Sequence, residues 1–483
     1  MKKYLIISLL TIATYTSSGQ ISIDSIKAII KHEVAAKRAK GIIVGIVDSL
    51  GRRQIVAEGV VSDSDRRLPD SNTLFEIGSI TKVFTSLLLA DMSLKHQLTI
   101  DDPISKYLPK TVRAPIRNGK EISLLSLSTH RSGMPRFPHN VDPRNPDHPY
   151  ADYTVDRLYE YVSTFEPPFD IDSRWQYSNI AYGLLGTILE KVAQKNYEDL
   201  VVERICRPLN MSNTFISLTA SEMSNVAIGH AETGTPTAFT DLGAIEAGGA
   251  LRSNVADLLT FAEANLGLNR TELYPAMQLT HLLRAKKDGN DTYTTMGWTL
   301  SNDNGKYHLF KDGGMPGYRS FIGIDTINKI GVIVLANSNN SVSDIGWHLL
   351  DSSRKIESYK YPWALLDTMR STIRIKGVDA AIELFHELKA AKNAFFVFNE
   401  AQLNYLGTEL RRDNKIKDAI KIFELNITQY PESPSAYESL GETYRRNKNE
   451  KAGITYFEKA MKLDPQNLHW AFMLEKLKKK RSG

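Results

Sequence analysis

The stretch FEIGSITKVFTSLLLADM, Phe75 to Met92, places Ser79 and Lys82 three positions apart at the head of an apolar run. Positions i and i+3 share a helix face, so the two side chains can meet within one turn. A serine hydroxyl is a weak nucleophile and must lose its proton as it attacks. A neighbouring lysine can take that proton if burial and other cations hold it below its ordinary value of about 10.4. A helix opening at Ser79 and running to about Leu94 would also set a helix N-terminus beside developing negative charge. The same letters suit a plain N-cap followed by a surface lysine, and a second S-x-x-K, Ser352 to Lys355, has no such apolar setting.

Two further segments bear on the choice. WQYSNIAYG, Trp175 to Gly183, carries Tyr177-Ser178-Asn179 at the start of another helical pattern. A tyrosine can shuttle protons where cations lower its pKa, and Asn179 can hydrogen-bond Lys82 or a substrate amide. KDGGMPGYRSFIGI, from Lys311, sets a cation and a glycine-rich strand edge before a β-hairpin. Gly313 and Gly314 there let a substrate lie close to the backbone, with an N–H aimed at a developing oxyanion. A second Lys-Asp-Gly, at 287–289, lacks the following strand and reads as a turn.

In that order, Ser79-Ile80-Thr81-Lys82, Tyr177-Ser178-Asn179 and Lys311-Asp312-Gly313 resemble the three motifs of the serine β-lactamase and penicillin-binding-protein superfamily. The Tyr-Ser-Asn form is similar to class C β-lactamases and to related esterases and D-amino-acid peptidases. STHRSGMPR (128–136), AGGALRSNVADLLTF (247–261) and GVIVLANS (331–338) extend the resemblance over about residues 25–345. It implies a hydrolase working through an acyl-enzyme, with no metal or organic cofactor. Ser79 would be acylated, with Lys82 and Tyr177 as acid–base partners and Asn179 positioning both Lys82 and substrate. Lys311 would recognise a substrate carboxylate, and the N–H groups of Ser79 and Gly314 would hold the oxyanion. Lysine in the third motif leans toward β-lactams or D-Ala cell-wall peptides, with small esters as the alternative. The departure is Asp312, where β-lactamases usually carry Thr. A carboxylate there would repel an anionic substrate unless it points away.

The remaining features bound the class. The 483 residues carry a formal net charge of +5, whose excess lies beyond residue 400 and ends in Lys478–Arg481. Such a tail reads as a solvated helix end, and no nucleic-acid partner is expected. Lys2 and Lys3 precede the apolar YLIISLLTIATY and the small residues Ser17-Ser18-Gly19, the pattern of a cleaved signal over 1–19 and of a periplasmic or secreted enzyme. The run is too short for a membrane span, which needs about 20 residues. The single cysteine, Cys206, leaves no internal disulfide and reads as a small buried apolar residue. No histidine spacing calls for a metal, and Trp175 and Trp298 read as core more readily than as pocket wall.

β-rich runs at 41–61 and 307–336 enclose helical segments, so residues 20–355 are expected to form an α+β domain: an antiparallel sheet flanked by helices, with a helical subdomain. The last part of the chain differs in kind. Leu406-Gly407, Arg411-Arg412, Phe423 and Pro431 recur at Leu440-Gly441, Arg445-Arg446, Phe457 and Pro465, each 34 residues on. That is the period of a tetratricopeptide helix–turn–helix. Residues 396–483 are therefore read as an α-helical solenoid, after a helical linker or degenerate repeat at 356–395. Its surface suits a protein or peptide partner, and a binding protein with an inert hydrolase domain is the rival reading.

Overall fold

The computed structural model describes residues 21–145, 148–287, 291–303, 305–357, 363–392, 396–467 and 474. The expected signal segment and the basic C-terminal tail lie outside these residues.

The expected hairpin forms first, β1 (Gly41–Val47) and β2 (Arg53–Gly59) turning at Asp48, whose carboxylate accepts from the Leu50 and Arg52 backbone. Late in the chain come β3 (Ala285–Lys286), β4 (Thr292–Thr294), β5 (Thr299–Asp303), β6 (Lys306–Met315), β7 (Tyr318–Asp325) and β8 (Ile330–Ala336). The eight strands make one antiparallel sheet in the order β2-β1-β8-β7-β6-β5-β4-β3, so the two ends of the domain meet where β1 pairs with β8. Every residue of β1 is buried because both faces are covered. Ile42, Val44 and Ile46 face a core shared with α1 (Ile23–Ala35), while Ile43 and Val47 face the larger core. The alternation is the pleat's two-residue period.

Within the insertion between β2 and β3 lie α2 (Thr81–Leu94), α3 (Asn179–Ala193) and α4 (Val255–Leu266). All but two residues of α2 are buried, so it is the central pillar of the helical layer. α5 (Ser343–Leu350) covers the α1 side of the sheet.

Three helix pairs follow: α6 (Ala364–Lys376) with α7 (Val378–Ala390), α8 (Glu400–Arg412) with α9 (Ile416–Gln429), and α10 (Pro434–Arg446) with α11 (Glu450–Leu463). The first pair holds the segment resembling a degenerate repeat. Gly407 has the role its recurrence suggests: a Cβ there would sit 2.6 Å from the Phe423 ring, so only glycine lets α8 and α9 approach this closely.

Asn337, fully buried past the end of β8, ties the sheet to the helical layer. Its Oδ1 accepts from Gly41 N (2.7 Å), and its Nδ2 donates to the Val60, Val61 and Ile228 carbonyls. Asn337→Ala removes the partner of Gly41 N and of the Val60, Val61 and Ile228 carbonyls. It is expected to lower unfolding free energy by roughly 2–4 kcal/mol, measured by urea denaturation.

Candidate active site

Ser79 does not open an α-helix, as its sequence suggested. It sits in a 3-10 turn, Gly78–Ile80, and α2 begins at Thr81. Gly78 turns the chain with φ +51°, and a Cβ on it would lie 2.7 Å from Gly314 N. The turn and β6 are thus pressed backbone to backbone. A Cβ on Gly313 would fall 2.1 Å from Ile77 O, and Ser320 on β7 donates to that same carbonyl at 2.8 Å. Gly313 and Gly314 therefore bring the third motif against the serine.

Lys82 is the second residue of α2 and is completely buried. Its Nζ is 3.1 Å from Ser79 Oγ and 2.7 Å from Asn179 Oδ1, and it also meets the Gly248 carbonyl. Burial, first, then the charges of Lys311 and Arg136 push its pKa well below the ordinary lysine value. Tyr177 hydrogen-bonds Ser79 Oγ. Its ring centroid has Lys82 Nζ at 4.9 Å, Lys311 Nζ at 5.2 Å and the Arg136 guanidinium at 5.2 Å. The expected lowering of Tyr177 by cations does not prevail: burial outweighs the Ser79 hydrogen bond and Arg136, and pushes the phenol up to about 12.

The second motif is positioned by Ser178, which caps α3 by accepting from Ala181 N and donates to Pro135 O. Ser178 N donates to His130 Nδ1 (3.1 Å), fixing that nitrogen as an acceptor, and the His130 ring packs 4.5 Å from the Tyr177 ring. Buried and beside Lys311, His130 is held well below its ordinary pKa and stays neutral, as a buttress to the tyrosine.

Lys311 is buried, and among the described residues none accepts a hydrogen bond from its Nζ. Asp312, its neighbour, is exposed while Lys311 and Gly313 are buried. Alternation along β6 thus puts the carboxylate on the face opposite the lysine. Asp312 nonetheless lines the cleft, where its charge is a partial counter-charge to Lys311 and Lys287.

All seven residues singled out from sequence (Ser79, Lys82, Tyr177, Asn179, Lys311, Gly313 and Gly314) converge here, with Ser79 opening onto a cleft of about 1480 Å³. Sequence reasoning missed three others. Lys287, read as part of a turn, reaches the cleft with Nζ 3.9 Å from the Trp175 ring centroid. Trp175 is a half-buried cleft wall and not core, whereas Trp298 is buried and stacks on Phe261. Arg136 was within a quoted motif, STHRSGMPR, but nothing local marked it as a cleft cation.

Comparison with known proteins agrees with this geometry. The family model described as Beta-lactamase matches residues 26–351, and a Tetratricopeptide repeat model matches 434–467. The D-alanyl-D-alanine-carboxypeptidase/endopeptidase AmpH of Escherichia coli is 26% identical over 317 residues, 63% of this chain and 81% of that protein. A Beta-lactamase of Psychrobacter immobilis is 26% identical over 348 residues, 64% of this chain and 82% of its own length. Among solved structures, a class C beta lactamase from Rhodobacter sphaeroides superposes with a TM-score of 0.58 at 26% identity, covering 65% of this chain and 94% of that one.

Lys311 gives a test of the local electrostatics. Burial, with Lys287 adding to it, lowers its pKa to about 8, against the opposing pull of Asp312. The cation is present below that value and lost as pH rises through it. Asp312→Asn removes the supporting carboxylate, so the loss moves to lower pH; Lys287→Met removes a repulsion, so it moves to higher pH. NMR titration of ¹³Cε-labelled lysine reads both shifts, and their opposite signs check the assignment.

Proposed function

Because the chain belongs to the beta-lactamase family of serine hydrolases, we propose that it is exported and hydrolyses the amide of β-lactams or D-Ala cell-wall peptides through an acyl-enzyme at Ser79. The observation that carries this reading is the hydrogen-bond pattern of the Lys82 amine. A neutral amine has two N–H donors and one lone pair. With that amine neutral, the state its lowered pKa favours, Asn179 Oδ1 and the Gly248 carbonyl take the two hydrogens and the lone pair is left for Ser79 Oγ. Tyr177, a phenol at neutral pH, donates to the same oxygen.

Attack then runs without any group changing place. As the Ser79 Oγ–carbonyl bond forms, the serine proton passes to Lys82 and the carbonyl π pair moves onto oxygen. The N–H groups of Ser79 and Gly314 receive that oxyanion. When the C–N bond breaks, Tyr177 gives its proton to the leaving nitrogen and is reprotonated from Lys82. Water attacks the ester by the reverse relay, returning Ser79. Lys311, with Lys287 and Arg136 around it, holds the carboxylate of the substrate. The export assignment rests on the N-terminal charge and apolar pattern; no helix among the described residues is long and apolar enough to cross a membrane.

A β-lactam should add one covalent equivalent at Ser79, seen by intact mass, and Ser79→Ala should show neither adduct nor turnover. Unchanged turnover in Ser79→Ala would sink the reading. Tyr177→Phe should reduce the acylation rate by about 10²–10⁴-fold, since a positioned proton donor is lost. Comparing turnover of a chromogenic cephalosporin, D-Ala release and p-nitrophenyl ester cleavage separates lactamase, peptidase and esterase.

A further inference from the structure

The cleft does not end at the hydrolase domain. Glu400, Asn404, Tyr405, Thr408 and Arg412 of α8 line the same space as Ser79, as does Ser435 on α10. Glu400, Asn404, Thr408 and Arg412 recur every four residues, with Tyr405 beside Asn404, which puts them on one face of α8. Leu403, Leu406 and Leu410 occupy the other face and are buried in the repeat array's own core. α8 therefore has two sides, one holding the array together and one turned to the cleft.

The junction is polar and local. Tyr405, Asn339 and Arg319 line the cleft together, and Tyr405 lies in the field of Arg319. Asn339 Oδ1 accepts from Arg319 (2.7 Å), and Arg319 pairs across the hairpin with Gly314. A short path thus joins α8 to the strand edge that faces the serine. The cleft, at about 1480 Å³, exceeds the roughly 300–1,000 Å³ of a pocket for a compact small molecule. Its far wall offers amide, phenol and hydroxyl groups, which match the donors and acceptors spaced along a peptide backbone, together with the charged Glu400 and Arg412.

We propose that the repeat array forms the distal wall of the substrate cleft and selects an extended peptide, whose reactive end reaches Ser79 while its upstream residues lie along α8. The repeats then act in cis on substrate choice instead of recruiting a separate protein. This rests on the hydrolase reading for the identity of the reactive end. A β-lactam, being compact, fills only the Ser79 half.

Binding to full-length Ser79→Ala protein tests the wall without chemistry. By calorimetry, a pentapeptide ending in D-Ala-D-Ala should bind at least about tenfold tighter than N-acetyl-D-Ala-D-Ala. Thr408→Trp, which projects a bulky ring into the cleft, should remove most of that gain, as should Tyr405→Ala, with thermal melting confirming that each variant is folded. A pentapeptide that binds no tighter than the dipeptide, or a gain that survives both substitutions, overturns the proposal. Failure of the hydrolase reading is seen separately, as absence of a covalent β-lactam adduct on the Ser79 protein.

Discussion

A lysine amine with no solvent exposure sits at the centre of this molecule, and most of the site follows from what Lys82 requires. A buried ammonium with only partial compensation is costly, so the group relaxes toward its neutral form. Neutrality turns a three-donor cation into a group with two donors and one acceptor. Three oxygens surround it, from Ser79, Asn179 and Gly248, and only one of them, the Ser79 hydroxyl, can supply a hydrogen. Burial, pKa and hydrogen-bond direction are thus one fact described in three ways. The same burial keeps Tyr177 protonated, so adjacent groups of opposite acid–base character are set apart chiefly by desolvation.

Rigidity around that amine comes from backbone contact more than from side-chain packing. Gly78 and Gly313 leave no Cβ between the serine turn and β6, and Ser320 bonds the Ile77 carbonyl from behind. Any side chain at Gly313 would have to push the two apart. On the other flank, Asn179 N bonds Arg136 O and Gln176 N bonds His130 O, so the segment bearing Tyr177 is clamped along its backbone to the segment bearing His130 and Arg136. Sites held by main-chain bonds vary less in geometry than sites on free loops, which suits a reaction needing several aligned proton transfers.

The serine, lysine, tyrosine and asparagine were legible in sequence because each lies in a short motif beside an apolar helical run, and the repeats were legible because their period survives divergence. The 3-10 turn at Ser79 was not, since it depends on Gly78 being pressed against Gly314, a contact 236 residues away in the chain. Lys287 was read as a turn because no strand pattern follows its tripeptide in the sequence, although the short β4 does follow it in the fold. Only the closing of the sheet edge brings it over Trp175. Asp312 looked like an obstacle to an anionic substrate; strand alternation sets it on the other face of β6 from Lys311, though it still borders the cleft. Sequence names the two neighbours, but not which face of β6 each occupies.

The position of the repeat array follows a different logic from the rest. Its core, built on Leu403, Phe423 and Phe385, is separate from the two cores that sandwich the sheet. Among the described residues no shared apolar core fixes the array against the hydrolase domain, and Tyr405 faces the polar Asn339 and Arg319 across the cleft. Contacts of this kind between domains allow relative movement. A wall attached through a few polar groups can open to admit a long chain and settle onto it. A wall fused into the core would fix the cleft at one width. The orientation of α8 is then as much part of the site as the serine, because the space between them sets the length of substrate that can be held.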